Sequence, residues 1–416
     1  MKYYIIAGEA SGDLHGSNLI KALQVHDSQA VIRAWGGDMI AETGAEMRKH
    51  YRDLAFMGFL EVVKNLRTIL NNMAFCKRDI LAFQPDAVIF IDYPGFNLRI
   101  AKWLYQNQLK NAFKTKLFYY ISPQIWAWHT SRVHGIKKIM DKVFCILPFE
   151  KDFYKKYNYD VDYIGHPLLD VVKKAKSEQN SFKKQENTEG ASFELKIKNS
   201  KLNGPNDKPV IALLAGSRRQ EIEAMLPTML KVVPYFPDYQ FVIAAPSAQD
   251  LSYFDQFIKQ EALVIDANKT VVENGQAVID SPQTVNNSIR IVQNKTYDVL
   301  KIATAALVKS GTSTLETALF GVPQVVCYKG SAVSFAIAKR VVNIKYISLV
   351  NLIMDKEIVK ELIQDDFTVE NLVLELKKVI ENQAIIKKEY DILRGVLGNE
   401  GASERAAALM IKYLKT

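Results

Sequence analysis

Asp92 ends the apolar run "AVIFID" and precedes Tyr-Pro-Gly. A carboxylate at that place faces the carboxyl edge of a sheet, where open α/β folds bind ligands, and it suits a general base. The stretch "YIIAGEASGDLHGS" raises a related question, because Glu9, Ser11 and Asp13 are interleaved with Gly8, Gly12 and Gly16. Its spacing, G-x-x-x-G-x-x-x-G, is not the dinucleotide fingerprint, and its carboxylates would repel a pyrophosphate. The turn suits the hydroxyl groups of a sugar, or a neighbouring catalytic group. Structural readings compete at each place: Asp92 capping the next turn, Ser11 or Asp13 capping a helix, and glycines permitting close packing.

Two stretches of the second half look different. "LLAGSRRQEI" is a strand, a Gly216-Ser217 turn and a helix that starts with Arg218. Turn N–H groups, a helix N-terminus and a guanidinium fork all favour phosphate oxygens. "VKSGTSTLETALFGVP" repeats the device with Ser310, Gly311 and Thr312, and places Glu316 one turn later, where it could accept ribose hydroxyls. Simple capping beside a surface Glu is the plainer alternative. Neither a P-loop nor a G-x-G-x-x-G after a strand is present, which disfavours a P-loop ATPase and NAD. Two anion turns with an acidic neighbour favour a nucleoside diphosphate.

Further candidates lie in "YYISPQIWAWHTSRVHG", with Trp126, Trp128 and Arg132 suited to sugar rings and phosphates, and in "YIGHPLLD", with His166 near a hinge. A lone His is more often structural. Asp160 and Asp162 in "YDVDY" read as a turn rather than a metal site, and no metal is expected. The segment "DLAFMGFLEVVKN" carries Phe56, Met57, Phe59 and Leu60, which are core by default and a membrane patch if exposed.

The elements that must position these groups alternate. Strands are expected at 3–7, 31–35, 87–92, 116–121, 143–147 and 161–164, with helices at 15–26, 59–83 and 97–108. Alternation restarts with "PVIALLAGS", "YQFVIAAPS", "AALVKSG" and "PQVVCY". The expected fold is α/β, with two Rossmann-like doubly wound domains facing across a cleft. The domains are drawn at 1–170 and 209–395, with a polar linker or insertion at 171–208 and a C-terminal helix, 396–416, packing back on the first domain. A second polar excursion is read at 267–288. A chain of 416 residues suits two domains, and a net charge of +9 suits a polyanionic partner or none in particular. Cys76, Cys145 and Cys327 show no metal or disulfide spacing, which fits a reducing compartment. No apolar run approaches the roughly 20 residues of a spanning helix.

"AGEASGD", "LAFMGFLEV", "IDYPGFN", "YYISPQIWAW" with Arg132, "LPFE", "IGHPL", "GSR", "SGTSTLE", "YISLVNLI" and "ELIQDD" follow one another over nearly the whole chain. Through these motifs the chain resembles the lipid-A-disaccharide synthases, inverting glycosyltransferases of GT-B architecture. The resemblance implies transfer from UDP-2,3-diacylglucosamine to the 6-hydroxyl of 2,3-diacylglucosamine 1-phosphate, without a cofactor or metal. It implies Asp92 as the essential carboxylate, with Glu9 and Ser11 at the acceptor side, and Gly216, Ser217, Arg218 and Ser310–Thr312 on the diphosphate. It implies Glu316 on the ribose, with Asn351 and Gln364 on loops closing over the donor. Residues 54–70 would face the membrane, making the protein cytoplasmic and peripheral on the anionic cytoplasmic face of the inner membrane. No nucleic acid is implied, and a homodimer is entertained. Gly95 stands where relatives often carry a second Asp, and Ala215 where Pro is usual. Two other readings stay open: a UDP-N-acetylglucosamine 2-epimerase-like enzyme, and a basic, non-catalytic membrane or nucleic-acid binder.

Overall fold

The structure is a computed structural model, and it describes residues 1–53, 66–110, 114–128, 130–186, 208–246, 249–266, 289–331, 335 and 344–416. The chain divides into two compact units, Met1–Asp170 with Leu397–Thr416, and Val171–Val396. Each is a parallel sheet with helices between its strands.

The first sheet holds β1 (Lys2–Ala7), β2 (Val31–Gly36), β3 (Glu46–His50), β4 (Ala87–Ile91), β5 (Lys116–Tyr120), β6 (Lys142–Cys145) and β7 (Asp162–Tyr163). Their order is β3-β2-β1-β4-β5-β6-β7, all parallel. The chain winds outward from β1 to β3, then returns to place β4 on the other side of β1. The switch point of the sheet therefore lies between β1 and β4, where Ala7 pairs with Ile91.

After its exposed first residue, Lys2, β1 is buried from Tyr3 to Ala7 because both its faces are covered. Tyr3, Ile5 and Ala7 enter one core with Leu19, Ile20 and Leu23. Tyr4 and Ile6 enter the other, with Ile80, Ile100 and Leu104. The last helix, Ala402–Lys415, places Ala406, Ala407, Met410 and Ile411 in the first of these cores, against helix Ala10–His26. Arg405 locks it in place by donating twice to the Ile164 carbonyl, at 2.9 and 2.7 Å.

The second sheet holds β8 (Val210–Leu214), β9 (Gln240–Ala245), β10 (Ile289–Gln293), β11 (Ala303–Lys309), β12 (Gln324–Tyr328) and β13 (Lys360–Ile363). The order β10-β9-β8-β11-β12-β13 puts its switch point between β8 and β11.

β3, β10 and β13 were not expected from the sequence. All three are at or next to an end of a sheet. "EMRKH" is half-buried and held partly by charge, with Arg33 on Glu46 at 2.7 Å and Arg48 on Asp79 at 3.0 Å. Such strands bury too little to show an apolar run. The polar stretch from 173 also begins as helix, Leu168–Glu186, whose buried Leu168, Leu169, Val172 and Ala175 start it before the lysines continue it. Residues 187–207, the stretch 267–288, and Phe56, Met57, Phe59 and Leu60 lie outside the described residues. Among the described residues no helix is long and apolar enough to cross a membrane.

Met410 is fully buried. Met410→Ala should destabilise the first unit by about 2–4 kcal/mol, read as a lower denaturant midpoint for that unit's transition.

Candidate active site

β4 stops at Ile91, and the two following residues both take left-handed backbone, Asp92 at φ 42° and Tyr93 at φ 47°. For non-glycine residues this conformation costs about 1–2 kcal/mol each and persists only where the surroundings impose it. Here they do. The Asp92 carbonyl accepts from the Tyr119 hydroxyl at 2.7 Å and from Asn97 Nδ2 at 2.8 Å. Asn97 also reaches the Ile6 carbonyl of β1 at 3.4 Å. The turn after β4 is thereby tied to both neighbouring strands.

Gly8 closes the same corner. A side chain on it would meet the Tyr93 ring at 2.3 Å, so only glycine lets the loop after β1 lie against that ring. Glu9 then stands as the extended N-cap residue of helix Ala10–His26. Glu9 and Asp92 thus leave adjacent strands at the switch point. Burial, then the negative charge of Glu9, push the half-buried Asp92 carboxyl up to about 6. Asp92 is ionised at neutral pH yet more basic than an ordinary carboxylate, which is what a general base needs.

Ser11 is half-buried in the first turn of helix Ala10–His26 rather than in a glycine loop, and the helical Gly12 packs against Ala7. Asp13 is not turned to this face. It is buried, and its oxygens accept from the N–H groups of Gly37 (2.7 Å), Ile40 (3.0 Å) and Met39 (3.1 Å), so it braces the loop after β2.

The neighbouring strand ends supply buried polar groups. His15 and His166 are both buried, and a charge on His15 would be felt at His166. Burial lowers His15 to about 4 and, with the charge of His15, lowers His166 to about 3, so both are neutral at pH 7. Glu150 is fully buried and pushed up to about 7 by burial, although Leu147 and Ile146 N–H groups donate to it at 2.9 and 3.1 Å. Among the described residues, His15 Nδ1, His166 Nε2 and Asn97 Oδ1 are buried polar atoms without a partner, while the buried indole N–H of Trp126 lies near enough to Glu150 to lower its carboxyl. Such atoms are uncommon in a folded interior, and each calls for an explanation. Trp126 is half-buried and meets Phe149 edge-on at 4.9 Å. Arg132 lies near enough to act on Tyr119. The Trp128 side chain lies outside the described residues. Asn97, Tyr119 and Glu150 were missed as site residues, although each sits in or beside a quoted motif, because their service is to a backbone turn.

In the second unit the two anion turns also leave adjacent strands, Gly216-Ser217-Arg218 after β8 and Ser310-Gly311-Thr312 after β11. Gly216 has φ 121°, and a side chain there would meet the Glu221 Cβ at 2.6 Å. Glu221 Oε2 accepts from the N–H groups of Ser217 (3.0 Å) and Arg218 (3.4 Å). The adjacent arginines part company. Arg219 stacks on Tyr253 at 4.8 Å and donates to Gln249, whereas the Arg218 side chain is about half exposed, 3.7 Å from Glu221.

Gly311 caps helix Thr312–Leu319, and the exposed Thr312 opens it. The Ser310 hydroxyl is committed to the Ile347 carbonyl at 2.9 Å. Glu316 is half-buried, its carboxyl raised by burial, and Tyr297 donates to its Oε1 at 2.9 Å.

Asn351 and Gln364 do not face outward as donor-contacting groups would. Asn351 is fully buried, donating to Val359 O (2.8 Å) and Glu361 (2.9 Å) and accepting from the N–H groups of Ile358 (2.8 Å) and Val359 (3.0 Å). Glu361 in turn accepts from the Ile347 and Ser348 N–H groups, both at 2.9 Å. Asn351 therefore acts on the Ser310 turn through Glu361 and Ile347. Gln364, at φ 54°, clamps the Gly330 N–H and carbonyl at 2.9 and 3.2 Å.

Among solved structures the chain is similar to the UDP-GlcNAc 2-epimerase from Neisseria meningitidis bound to UDP-GlcNAc, with TM-score 0.62, 11% identity, and 99% and 100% of the two chains covered. It is also similar to the kitacinnamycin glycotransferase, at TM-score 0.57 and 12% identity, covering 99% of each chain. At these identities the likeness shows the fold alone, the two-domain α/β arrangement of GT-B enzymes. In sequence, the lipid-A-disaccharide synthase of Syntrophus aciditrophicus is 34% identical over 414 residues, covering 99% of this chain and 97% of that one. That of Coxiella burnetii (strain CbuK_Q154) is 33% identical, with 98% and 96% covered. The family model described as lipid-A-disaccharide synthetase matches residues 3–412. With the match running through both switch-point sites, the chain belongs to the lipid-A-disaccharide synthase family of glycosyltransferases.

Proposed function

We propose that this glycosyltransferase joins UDP-2,3-diacylglucosamine to 2,3-diacylglucosamine 1-phosphate, releasing UDP and the β-1′,6-linked disaccharide 1-phosphate, by a single inverting displacement without a metal. The observation that carries the reading is Asp92, held in left-handed backbone beside Glu9 with its carboxyl raised to about 6. Its carboxylate takes the proton of the acceptor 6-hydroxyl as that oxygen bonds to the anomeric carbon. The bond from that carbon to the diphosphate oxygen breaks, and its electron pair leaves with UDP. Arg218 and the N-termini of helices Arg219–Leu230 and Thr312–Leu319 meet the charge on the departing diphosphate. Glu316, steadied by Tyr297, is assigned to the ribose hydroxyls.

The assay uses purified protein in detergent with both lipid substrates, and mass spectrometry of the disaccharide and UDP. Asp92→Asn should lower turnover by on the order of 10²–10⁴-fold. A carboxyl raised by burial opposes folding above its folded pKa, so the same variant should keep or raise the thermal midpoint at pH 8. Near-wild-type turnover would remove Asp92 as the base.

The base must be ionised, so kcat/KM should rise with pH through about 6 and level off above it. Glu9→Gln removes a negative neighbour and should move that rise to lower pH. A rise that stays put would take Glu9 out of the electrostatics of Asp92.

The same reading places the protein on the cytoplasmic face of the inner membrane, by way of Phe56, Met57, Phe59 and Leu60. The net charge of +9 supports this through attraction to anionic lipid. Replacing the four by Ser should lower co-sedimentation with phosphatidylglycerol vesicles at least several-fold while UDP binding persists. Unchanged sedimentation would return the segment to the core reading.

A further inference from the structure

Lys309 and Glu221 form a direct side-chain bridge between the two anion turns of the second unit. Lys309 is the last residue of β11 and immediately precedes Ser310-Gly311-Thr312. Glu221 lies in the first turn of helix Arg219–Leu230, just after Gly216-Ser217-Arg218. The lysine Nζ donates to Glu221 Oε1 at 2.8 Å, while Oε2 holds the Ser217 and Arg218 N–H groups. One carboxylate therefore grips one turn with one oxygen and the strand leading into the other turn with its second. Both side chains are mostly covered, 22% and 19% exposed, so the contact is screened less than a surface pair.

This arrangement poses an electrostatic problem. A carboxylate packed on Gly216 stands where a diphosphate would be drawn, and uncompensated it would repel that ligand. Burial also works against the charge, yet the charge and hydrogen bond of Lys309, with the Ser217 N–H and the charge of Arg218, together offset it, so the Glu221 carboxyl lies below its ordinary value. Glu221 thus stays ionised, keeps both grips and is cancelled locally by Lys309.

We propose that Glu221 and Lys309 are a pair of positioning residues that set the spacing of the two diphosphate turns, with Lys309 offsetting the negative charge that Glu221 places between them. The proposal rests on the reading of these turns as the nucleotide site. It assigns Lys309 a role distinct from that of Arg218: Arg218 addresses the ligand, and Lys309 addresses Glu221.

The test is calorimetric binding of UDP, with KM and kcat for the UDP-sugar, in wild type, Lys309→Ala, Lys309→Arg, the double variant Glu221→Gln/Lys309→Ala, and Arg218→Ala as control. Lys309→Ala removes the close cation from Glu221, leaving only the half-exposed Arg218 at 3.7 Å, and should weaken UDP about tenfold, raising KM for the UDP-sugar more than it lowers kcat. Lys309→Arg should stay within about twofold of wild type, because it keeps the charge. The double variant should bind UDP at least about threefold more tightly than Lys309→Ala alone, since Gln still accepts from the turn and repels nothing. A merely structural contact would give no such recovery. Lys309→Ala binding UDP like wild type, or a double variant no better than Lys309→Ala, overturns the pair while a weakened Arg218→Ala leaves the nucleotide site standing. Arg218→Ala binding UDP as tightly as wild type, or a wild type that binds no UDP, overturns the nucleotide reading and the pair with it.

Discussion

The backbone at Asp92 and Tyr93 is the constraint on which the first unit's site depends. A strand that ended in ordinary extended conformation would carry the carboxylate on past the sheet edge. Two consecutive left-handed residues turn it back instead, and the unfavourable conformation is held by two donors on a single carbonyl, Tyr119 and Asn97. Those donors come from the next strand and the next helix, so the corner requires the sheet to be assembled already. Gly8 completes it by letting the neighbouring loop lie on the Tyr93 ring.

The two units use the same topology to opposite electrostatic ends. At the first switch point Glu9 and Asp92 are neighbours in a buried setting, and the result is a carboxyl raised toward neutrality. At the second, a glycine turn, an exposed Arg218 and two helix N-termini collect positive potential, and the Glu221 carboxylate between the turns is paired with Lys309. A sheet edge is a neutral scaffold in this respect. Which chemistry it hosts is set by four or five side chains on the loops it exposes.

Several residues in the chain's most distinctive motifs serve backbone rather than substrate. Asp13 spends its oxygens on the loop after β2, Asn351 on residues 358–361, and Gln364 on Gly330. The path from Asn351 through Glu361 and Ile347 ends on the Ser310 hydroxyl, which gives this buried amide a hold on an anion turn it does not touch. A loop that must present N–H groups to a ligand cannot also satisfy its own polar groups cheaply, and buried amides and carboxylates behind it take up that task.

The sequence by itself determined the class of fold and the strand ends where chemistry would sit, because fully covered parallel strands read as unbroken apolar runs and their exits read as glycine and proline turns. "KYYIIAGE", "AVIFIDYPG" and "VIALLAGSR" are legible for that reason. The edge strands "EMRKH", "IRIVQ" and "KELI" were not, since a strand paired on one side needs only part of that apolar signal. What tertiary structure alone decided is which polar residues in the motifs point outward and which turn in. Asp92 and Asp13 are both acidic residues near a strand exit, yet one lies beside Glu9 at the switch point and the other caps N–H groups brought to it from more than twenty residues away. That difference depends on long-range pairing between strands, which no local pattern of residues encodes.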